Sequence, residues 1–203
     1  GRNKLMKIAG GIFPGRKIRS VKEGVRPSTG YVKKRYFDIL RNRIVGSLFL
    51  DAFSGTGAVG IEALGRGADF VVFIDNGYES LKVIRNNLEK LEIPVDRYLI
   101  IDLEYNRAVR ECERRGLLFD LVYIDPPFVY YRTANPLRIL FKRKVLKPDA
   151  LIALERPREE RFTAKYFPLL REFKTRSSIM DFYVNRPMDE KPQEEEGGTE
   201  EEK

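Results

Sequence analysis

The chemistry of this sequence is concentrated in two short stretches. In the first, the apolar run from Leu48 to Phe53, which carries Asp51, passes without a spacer into Ser54-Gly55-Thr56-Gly57-Ala58-Val59-Gly60. Gly55, Gly57 and Gly60 keep the G-x-G-x-x-G spacing that lets a backbone turn sharply off a strand, approach a ligand closely and pack the next helix on the sheet. A second apolar run, Phe70 to Ile74, ends at Asp75, about 20 residues further on, where folds of this kind set an acid against ribose hydroxyls. Such a turn holds either a dinucleotide or S-adenosylmethionine. Asp51 favours the second, because a carboxylate here repels a pyrophosphate resting on the helix N-terminus and attracts the amine-bearing end of S-adenosylmethionine.

The second stretch is Leu121-Val122-Tyr123-Ile124-Asp125-Pro126-Pro127-Phe128. A buried strand ends in an acid, two prolines without N–H groups lead the chain off the sheet and leave carbonyls free of any ladder, and an aromatic ring follows. The acid and a proline-turn carbonyl can accept hydrogen bonds from an exocyclic amine. The ring can stack on the base that carries this amine once it has left its own stack.

Other chemistries are excluded by what the sequence lacks. It has no histidine, so imidazole catalysis and histidine metal ligation are absent, and its one cysteine, Cys112, permits neither a disulfide framework nor a cysteine zinc site. No metal is expected. Cys112 lies in the charged helical stretch Arg110-Glu111-Cys112-Glu113-Arg114, away from the strand ends, and reads as structural rather than as the nucleophile that methylation of cytosine C5 requires. No apolar run approaches the ~20 residues that span a bilayer, and no signal segment opens the chain. We therefore expect a cytoplasmic protein without a membrane partner.

The net charge of +8 is unevenly spread. Residues 1–43 hold thirteen bases against Glu23 and Asp38, while residues 189–203 carry a net −6. A basic front of this kind suits a nucleic acid, and Arg16, Lys17, Arg19, Lys33 and Lys34 are its candidate phosphate contacts. A solvated basic face with no partner is the competing reading.

These residues need a frame to position them. Residues 1–5 read as a non-native remnant ahead of Met6, and residues 6–45 as a basic arm of two small strands followed by a helix. Val25-Arg26-Pro27-Ser28-Thr29 is a turn that caps this helix, which is expected to bury one face and turn Lys33, Lys34 and Arg41 outward. From Leu48 strand-like and helix-like segments alternate, with strands near Leu48–Phe53, Phe70–Asp75, Arg97–Asp102, Leu118–Asp125 and Ala150–Glu155, and helices near Val59–Arg66, Tyr78–Leu91, Asn106–Arg115 and Pro136–Lys144. Leu170–Thr175 and Ser178–Val184 read as an antiparallel hairpin. The fold class is α/β and Rossmann-like, a mostly parallel seven-stranded sheet over residues 46–187. Asp75, Asp102 and Asp125 fall at strand carboxyl ends, where such sheets bind ligands. Residues 188–203, rich in Glu, Gly and Pro, are expected to be a disordered tail.

Asp125-Pro126-Pro127-Phe128 after an apolar strand, with Asp51 and Gly55-Thr56-Gly57 upstream, resembles the Asp-Pro-Pro-aromatic class of amino-methyltransferases. More narrowly, Met6-Lys7-Ile8-Ala9-Gly10-Gly11, Gly15-Arg16-Lys17-Ile18, Val25-Arg26-Pro27-Ser28-Thr29 and Phe53-Ser54-Gly55-Thr56-Gly57 resemble the bacterial family that makes N2-methylguanine in 16S ribosomal RNA. The likeness runs from about Met6 to Val184. It implies a class I methyltransferase fold, S-adenosylmethionine as cofactor with S-adenosylhomocysteine as product, and ribosomal RNA or the small ribosomal subunit as partner of a monomer. By position it gives Asp51, Ser54, Gly55 and Gly57 the methionine end of the cofactor, Asp75 the ribose hydroxyls and Asp102 the adenine edge, with Thr56 and Asn76 also at the cofactor. Asp125 through Phe128 become the catalytic loop, and Arg26, Pro27 and Thr29 close over cofactor or flipped base. The family more often shows Glu where Asp75 stands and Tyr where Phe128 stands. A DNA adenine-N6 methyltransferase, a nicotinamide-dependent oxidoreductase and a non-catalytic RNA-binding module are the rival readings.

Overall fold

The computed structural model describes residues 5–8, 11–12, 16–19, 30–127, 129–159, 165–175 and 178–188. Two antiparallel strands, β1 (Leu5–Lys7) and β2 (Lys17–Arg19), come first, followed by α1 (Gly30–Leu40). The chain then alternates through β3 (Leu48–Ala52), α2 (Ala58–Gly65), β4 (Phe70–Ile74), α3 (Tyr78–Lys90), β5 (Tyr98–Ile101), α4 (Tyr105–Arg114) and β6 (Phe119–Ile124). Short helices α5 (Tyr130–Thr133) and α6 (Pro136–Phe141) lead to β7 (Leu146–Pro157), β8 (Leu169–Lys174) and β9 (Ser178–Val184).

The seven strands of the main sheet lie in the order β5-β4-β3-β6-β7-β9-β8. The first five pair in parallel, and β9 pairs antiparallel with both β7 and β8. This is the Rossmann-like α/β architecture expected from the sequence. Strands covered on both faces read as apolar runs: β4 does so throughout, and β3 and β6 do so apart from Asp51 and Asp120, because alternate residues feed two cores. Phe49, Val71, Phe73, Leu121 and Tyr123 face the cluster formed with α1, α2 and α3, whereas Leu50, Val72, Ile74, Val122 and Ile124 face the one that includes α4 and α6. The strand order reverses at β3, which has β4 on one side and β6 on the other. The two motif-bearing strands are therefore neighbours.

Two elements differ from the sequence reading by more than one residue at an end. β7 begins at Leu146 and ends at Pro157, longer at both ends than periodicity indicates, because Leu146 pairs with Phe119 of β6 at its start and Leu151–Pro157 pair with the whole of β9 at its end. The helix that begins at Pro136 ends at Phe141.

Lys33 is a third difference. Read as an outward base on α1, it is only 2% exposed. Burial holds its ammonium below the ordinary lysine range, against the opposing pull of the Glu62 charge. Glu62, itself 0% exposed on α2, also pairs with Arg66 at 2.9 Å, and the Arg66 guanidinium lies 4.7 Å from the centroid of the Phe37 ring. Charges hidden in the α1–α2 seam thus orient α1. Helical period separates faces but cannot tell a solvated lysine from one with a buried acid opposite.

The two-stranded element is docked on the sheet domain. Ile8 and Ile18 are buried in the α1–α2–α3 core, the Ile12 N–H donates to the Gly65 carbonyl at 2.8 Å, and a Cβ on Gly11 would meet Gly65 backbone atoms at 2.4 Å. A comparably close approach occurs within the sheet domain, where a Cβ on Gly60 would lie 2.4 Å from the Phe73 ring. That contact is why a glycine is needed as α2 crosses β4. Gly60→Ala is expected to lower the stability measured by urea denaturation by about 1–3 kcal/mol, with an unchanged m-value.

Candidate functional site

The glycine turn is built from the strand outward. Asp51, 2% exposed in β3, accepts a hydrogen bond from the Gly60 N–H at 2.9 Å. The Ser54 hydroxyl donates to the Asp51 carbonyl at 2.6 Å and lies 3.2 Å from that of Ile74, tying the turn to both strands. Phe53, Gly55 and Gly57 take left-handed φ values of 59°, 55° and 74°. Glycine adopts such values without penalty, whereas Phe53 is held there by its surroundings. The Gly57 N–H donates back to the Ser54 carbonyl at 2.8 Å, and the Thr56 hydroxyl accepts from the Ala58 N–H at 3.3 Å.

Asp75 bridges two loops. One carboxylate oxygen accepts from the Gly55 N–H and the other from the Gly77 N–H, each at 2.8 Å. The acid that follows β4 therefore fixes the turn that follows β3. Asn76 and Asp102 are exposed beside it at the same edge of the sheet.

Burial sets the electrostatics. Desolvation pushes the Asp51 carboxyl up to about 8, with the Asp75 charge acting the same way and the Gly60 N–H opposing. The Tyr36 hydroxyl, raised by its own burial, also feels the Asp51 charge. The hydrogen bonds reaching Asp51 and Asp75 come from backbone N–H groups, and among the described residues no cation pairs with either. This pocket of acid favours a positively charged ligand.

The second stretch leaves β6 at Ile124 and continues as Asp125-Pro126-Pro127. Asp125 is half-buried and Pro126 buried, and the Pro127 carbonyl accepts from the Tyr130 N–H at 2.9 Å. Register places Ile124 opposite Leu154, so Glu155 follows on β7 next to Asp125. Glu155 accepts from the hydroxyls of Tyr123 at 2.7 Å and Ser178 at 2.9 Å, and its carbonyl accepts from the Tyr131 hydroxyl. The Phe53 ring lies 4.9 Å from both Tyr105 and Tyr130. The Tyr130 hydroxyl is buried with no hydrogen-bond partner among the described residues, a state that costs about 1–3 kcal/mol.

Asp51, Ser54 to Gly57, Asp75, Asn76, Asp102 and Asp125 to Pro127 are thus gathered at the carboxyl ends of parallel strands, around the point where strand order reverses. Arg26, Pro27, Thr29 and Phe128 lie outside the described residues. On the arm, Arg16, Lys17 and Arg19 are exposed, as is Lys34 on α1. Lys33, buried against α2, cannot offer its ammonium to a phosphate in this structure.

Several residues escaped the sequence reading. Asn87, on α3, is 0% exposed and bonds to Arg19 and Thr56 at once. The signal was present, for Asn87 interrupts the buried stripe of Leu81, Ile84, Leu88 and Leu91, where a polar residue requires partners. Phe53 and Tyr130 carried no comparable signal.

The profile of the family described as conserved hypothetical protein 95 matches residues 6–184. A ribosomal RNA small subunit methyltransferase D from Haemophilus influenzae is 30% identical over 182 residues, covering 89% of this chain and 94% of that protein. The solved Escherichia coli protein yhhF superposes with a TM-score of 0.75 at 28% identity, covering 89% of this chain and 98% of the other. A Thermus thermophilus 16S rRNA N2 G1207 methyltransferase, solved with AdoMet and guanosine, shares the fold at 18% identity and a TM-score of 0.69, over 91% of this chain and 50% of that one.

The raised Asp51 carboxyl has a sign that can be checked. Its folded value of about 8 lies above the ordinary 3.8, so its contribution to stability is complete below the ordinary value and is lost as pH rises through the folded one. The melting temperature of the unliganded protein should fall by several degrees between about pH 5 and about pH 9. The difference between wild type and Asp51→Asn, measured across that range, should carry this slope.

Proposed function

The chain belongs to the conserved hypothetical protein 95 family, that of the ribosomal RNA small subunit methyltransferases D, and on that premise we propose that it is an S-adenosylmethionine-dependent methyltransferase of small-subunit ribosomal RNA whose target is the exocyclic N2 amine of a guanine. The observation that carries this reading is the convergence of Asp51 with its glycine turn and Asp125-Pro126-Pro127 on adjacent strands, β3 and β6. One motif suits the methyl donor and the other suits an amine.

The residues present fit the cofactor. Asp75 supplies negative charge and Asp51 an acid that ionises once a cation arrives, neither with a paired cation among the described residues, which suits an amine and a sulfonium, and Gly55 and Gly57 put no side chain in the way of a close approach. Asp51, Ser54, Gly55, Thr56 and Gly57 would hold the methionine end. Asp75 and Asn76 would hold the ribose, Asp102 the adenine edge, and Arg26, Pro27 and Thr29 the lid. When bound, S-adenosylmethionine supplies an electrophilic methyl group.

The chain's own contribution is alignment. The N2 lone pair of guanine is delocalised into the ring, so the amine must be oriented and its electron density drawn out. Asp125 accepts from one N–H. The Pro127 carbonyl already takes the Tyr130 N–H, so Pro126 is assigned the second acceptor, and Phe128 stacks on the base. As the amine is methylated, one of its two N2 protons would pass by way of Asp125 to solvent. Asp125 stabilises the positive charge that develops on N2.

The exposed Arg16, Lys17, Arg19 and Lys34 form the basic surface that would track RNA phosphates. If they do, the logarithm of RNA affinity should fall linearly with the logarithm of salt, and reversing the charge of Arg16 and Lys17 should flatten the slope by about 2; an unchanged slope would remove the arm from the RNA surface.

The direct test is incubation with labelled S-adenosylmethionine and small-subunit ribosomal RNA or subunits lacking their modifications, followed by digestion to nucleosides and mass analysis. Label is expected in N2-methylguanosine, and Asp125→Ala should lower the rate about 100-fold or more while S-adenosylhomocysteine still binds. Label in a DNA adenine offered in a parallel incubation and none in the RNA, or near-native rates for Asp125→Ala, would overturn the assignment.

A further inference from the structure

The geometry points to Asn87 as a positioning residue that locks the cofactor turn and fastens the basic arm to it, so that cofactor binding and RNA binding are coupled through one side chain. This rests on the function proposed above and adds a regulatory link within that site. The Asn87 Oδ1 accepts the Arg19 N–H at 2.7 Å, and Nδ2 donates to the Arg19 carbonyl at 3.1 Å and to the Thr56 carbonyl at 3.0 Å. An asparagine amide carries two N–H donors, and both are committed. Asn87 thus meets both backbone groups of Arg19, as a neighbouring strand would, while gripping the glycine turn with its second N–H.

Each end of this bridge matters to a different ligand. At the turn, the peptide joining Thr56 to Gly57 is held on both sides, because the Gly57 N–H donates to the Ser54 carbonyl at 2.8 Å while Asn87 holds the Thr56 oxygen. The peptide plane is fixed, and with it the direction in which the turn presents its other amides. At the arm, β2 touches α3 at further points. Ile18 is wholly buried, and the Lys90 ammonium donates to the Lys17 carbonyl at 3.0 Å. Lys17 and Arg19, flanking Ile18, display their side chains to solvent.

The alternative is that Asn87 only satisfies its own burial. A leucine would have continued the apolar stripe of α3 without requiring partners, and asparagine is a poorer helix former than leucine. What the amide adds is the connection. RNA on Arg16, Lys17 and Arg19 restrains the Arg19 backbone, and a cofactor in the turn restrains Thr56. Each ligand therefore orders one end of a bridge whose other end its counterpart needs ordered, which is positive coupling, equal in both directions.

The experiment is calorimetric titration of the full chain with S-adenosylhomocysteine, alone and with saturating protein-free small-subunit ribosomal RNA, for wild type, Asn87→Asp and Asn87→Ser. Asn87→Asp keeps the acceptor for the Arg19 N–H but loses both donors; Asn87→Ser serves if the aspartate variant does not fold. In wild type, RNA should tighten S-adenosylhomocysteine about fivefold or more, with the reciprocal effect on RNA. In the variants, S-adenosylhomocysteine alone should bind about tenfold more weakly, and the ratio of its affinities with and without RNA should approach one. Weaker binding with the wild-type ratio preserved, or a ratio of one in wild type, would reduce Asn87 to a structural role and overturn the inference. If wild type binds no S-adenosylhomocysteine, the methyl-donor reading fails and this inference with it.

Discussion

A buried carboxyl group held by a backbone N–H is the constraint on which the site depends. Asp51 stands in the central strand with 2% of its surface exposed, and its hydrogen bond from Gly60 at 2.9 Å reaches across the glycine turn into the first turn of α2. For that bond to form, α2 must lie close against the sheet, which a side chain at Gly60 would prevent by striking Phe73. The chain must also reverse within Phe53 to Gly57, through three residues of left-handed φ. Asp75 completes the arrangement from the next strand by holding Gly55. Two of the three acids proposed to hold the cofactor, Asp51 and Asp75, also fix the shape of the turn, so the site's geometry and its charge cannot be varied independently.

The cost of this arrangement is visible in the protonation of Asp51, which burial and the Asp75 charge move far from the usual carboxyl range. A buried acid without a counterion is tolerated in a fold only when it is neutral or when something positive arrives. The α1–α2 seam shows the opposite solution, in which Glu62 is buried with Arg66 bonded to it and the Lys33 charge acting on it. One acid supports the fold with cations in place, and the other stands at the point where strand order reverses with none paired to it among the described residues.

Much of this was legible in the sequence, and the reasons are local. Glycine spacing, acids at the ends of apolar runs and paired prolines are properties of contiguous residues, and contiguous residues dictate a strand–turn–helix unit. The alternation of such units then leaves few ways to assemble a parallel sheet, so the strand ends could be placed without coordinates. What stayed hidden depends on residues distant in sequence. Periodicity presents Lys33 as an outward base because its partner is on another helix. Asn87 takes its meaning from Arg19 and Thr56, and the additional length of β7 is set by pairing with β6 at its start and β9 at its end.

The bonds between Arg19 and Asn87 span 68 positions of chain. During synthesis, which proceeds from the N-terminus, the basic arm emerges long before the helix that receives it. Ile8 and Ile18 have no apolar surface to enter until α2 and α3 have formed, so the arm is a late passenger in folding although it is made early. A nascent chain of this protein therefore carries its most cationic segment undocked until α3 (Tyr78–Lys90) has been made, so the first segment to appear is not the first to close its contacts.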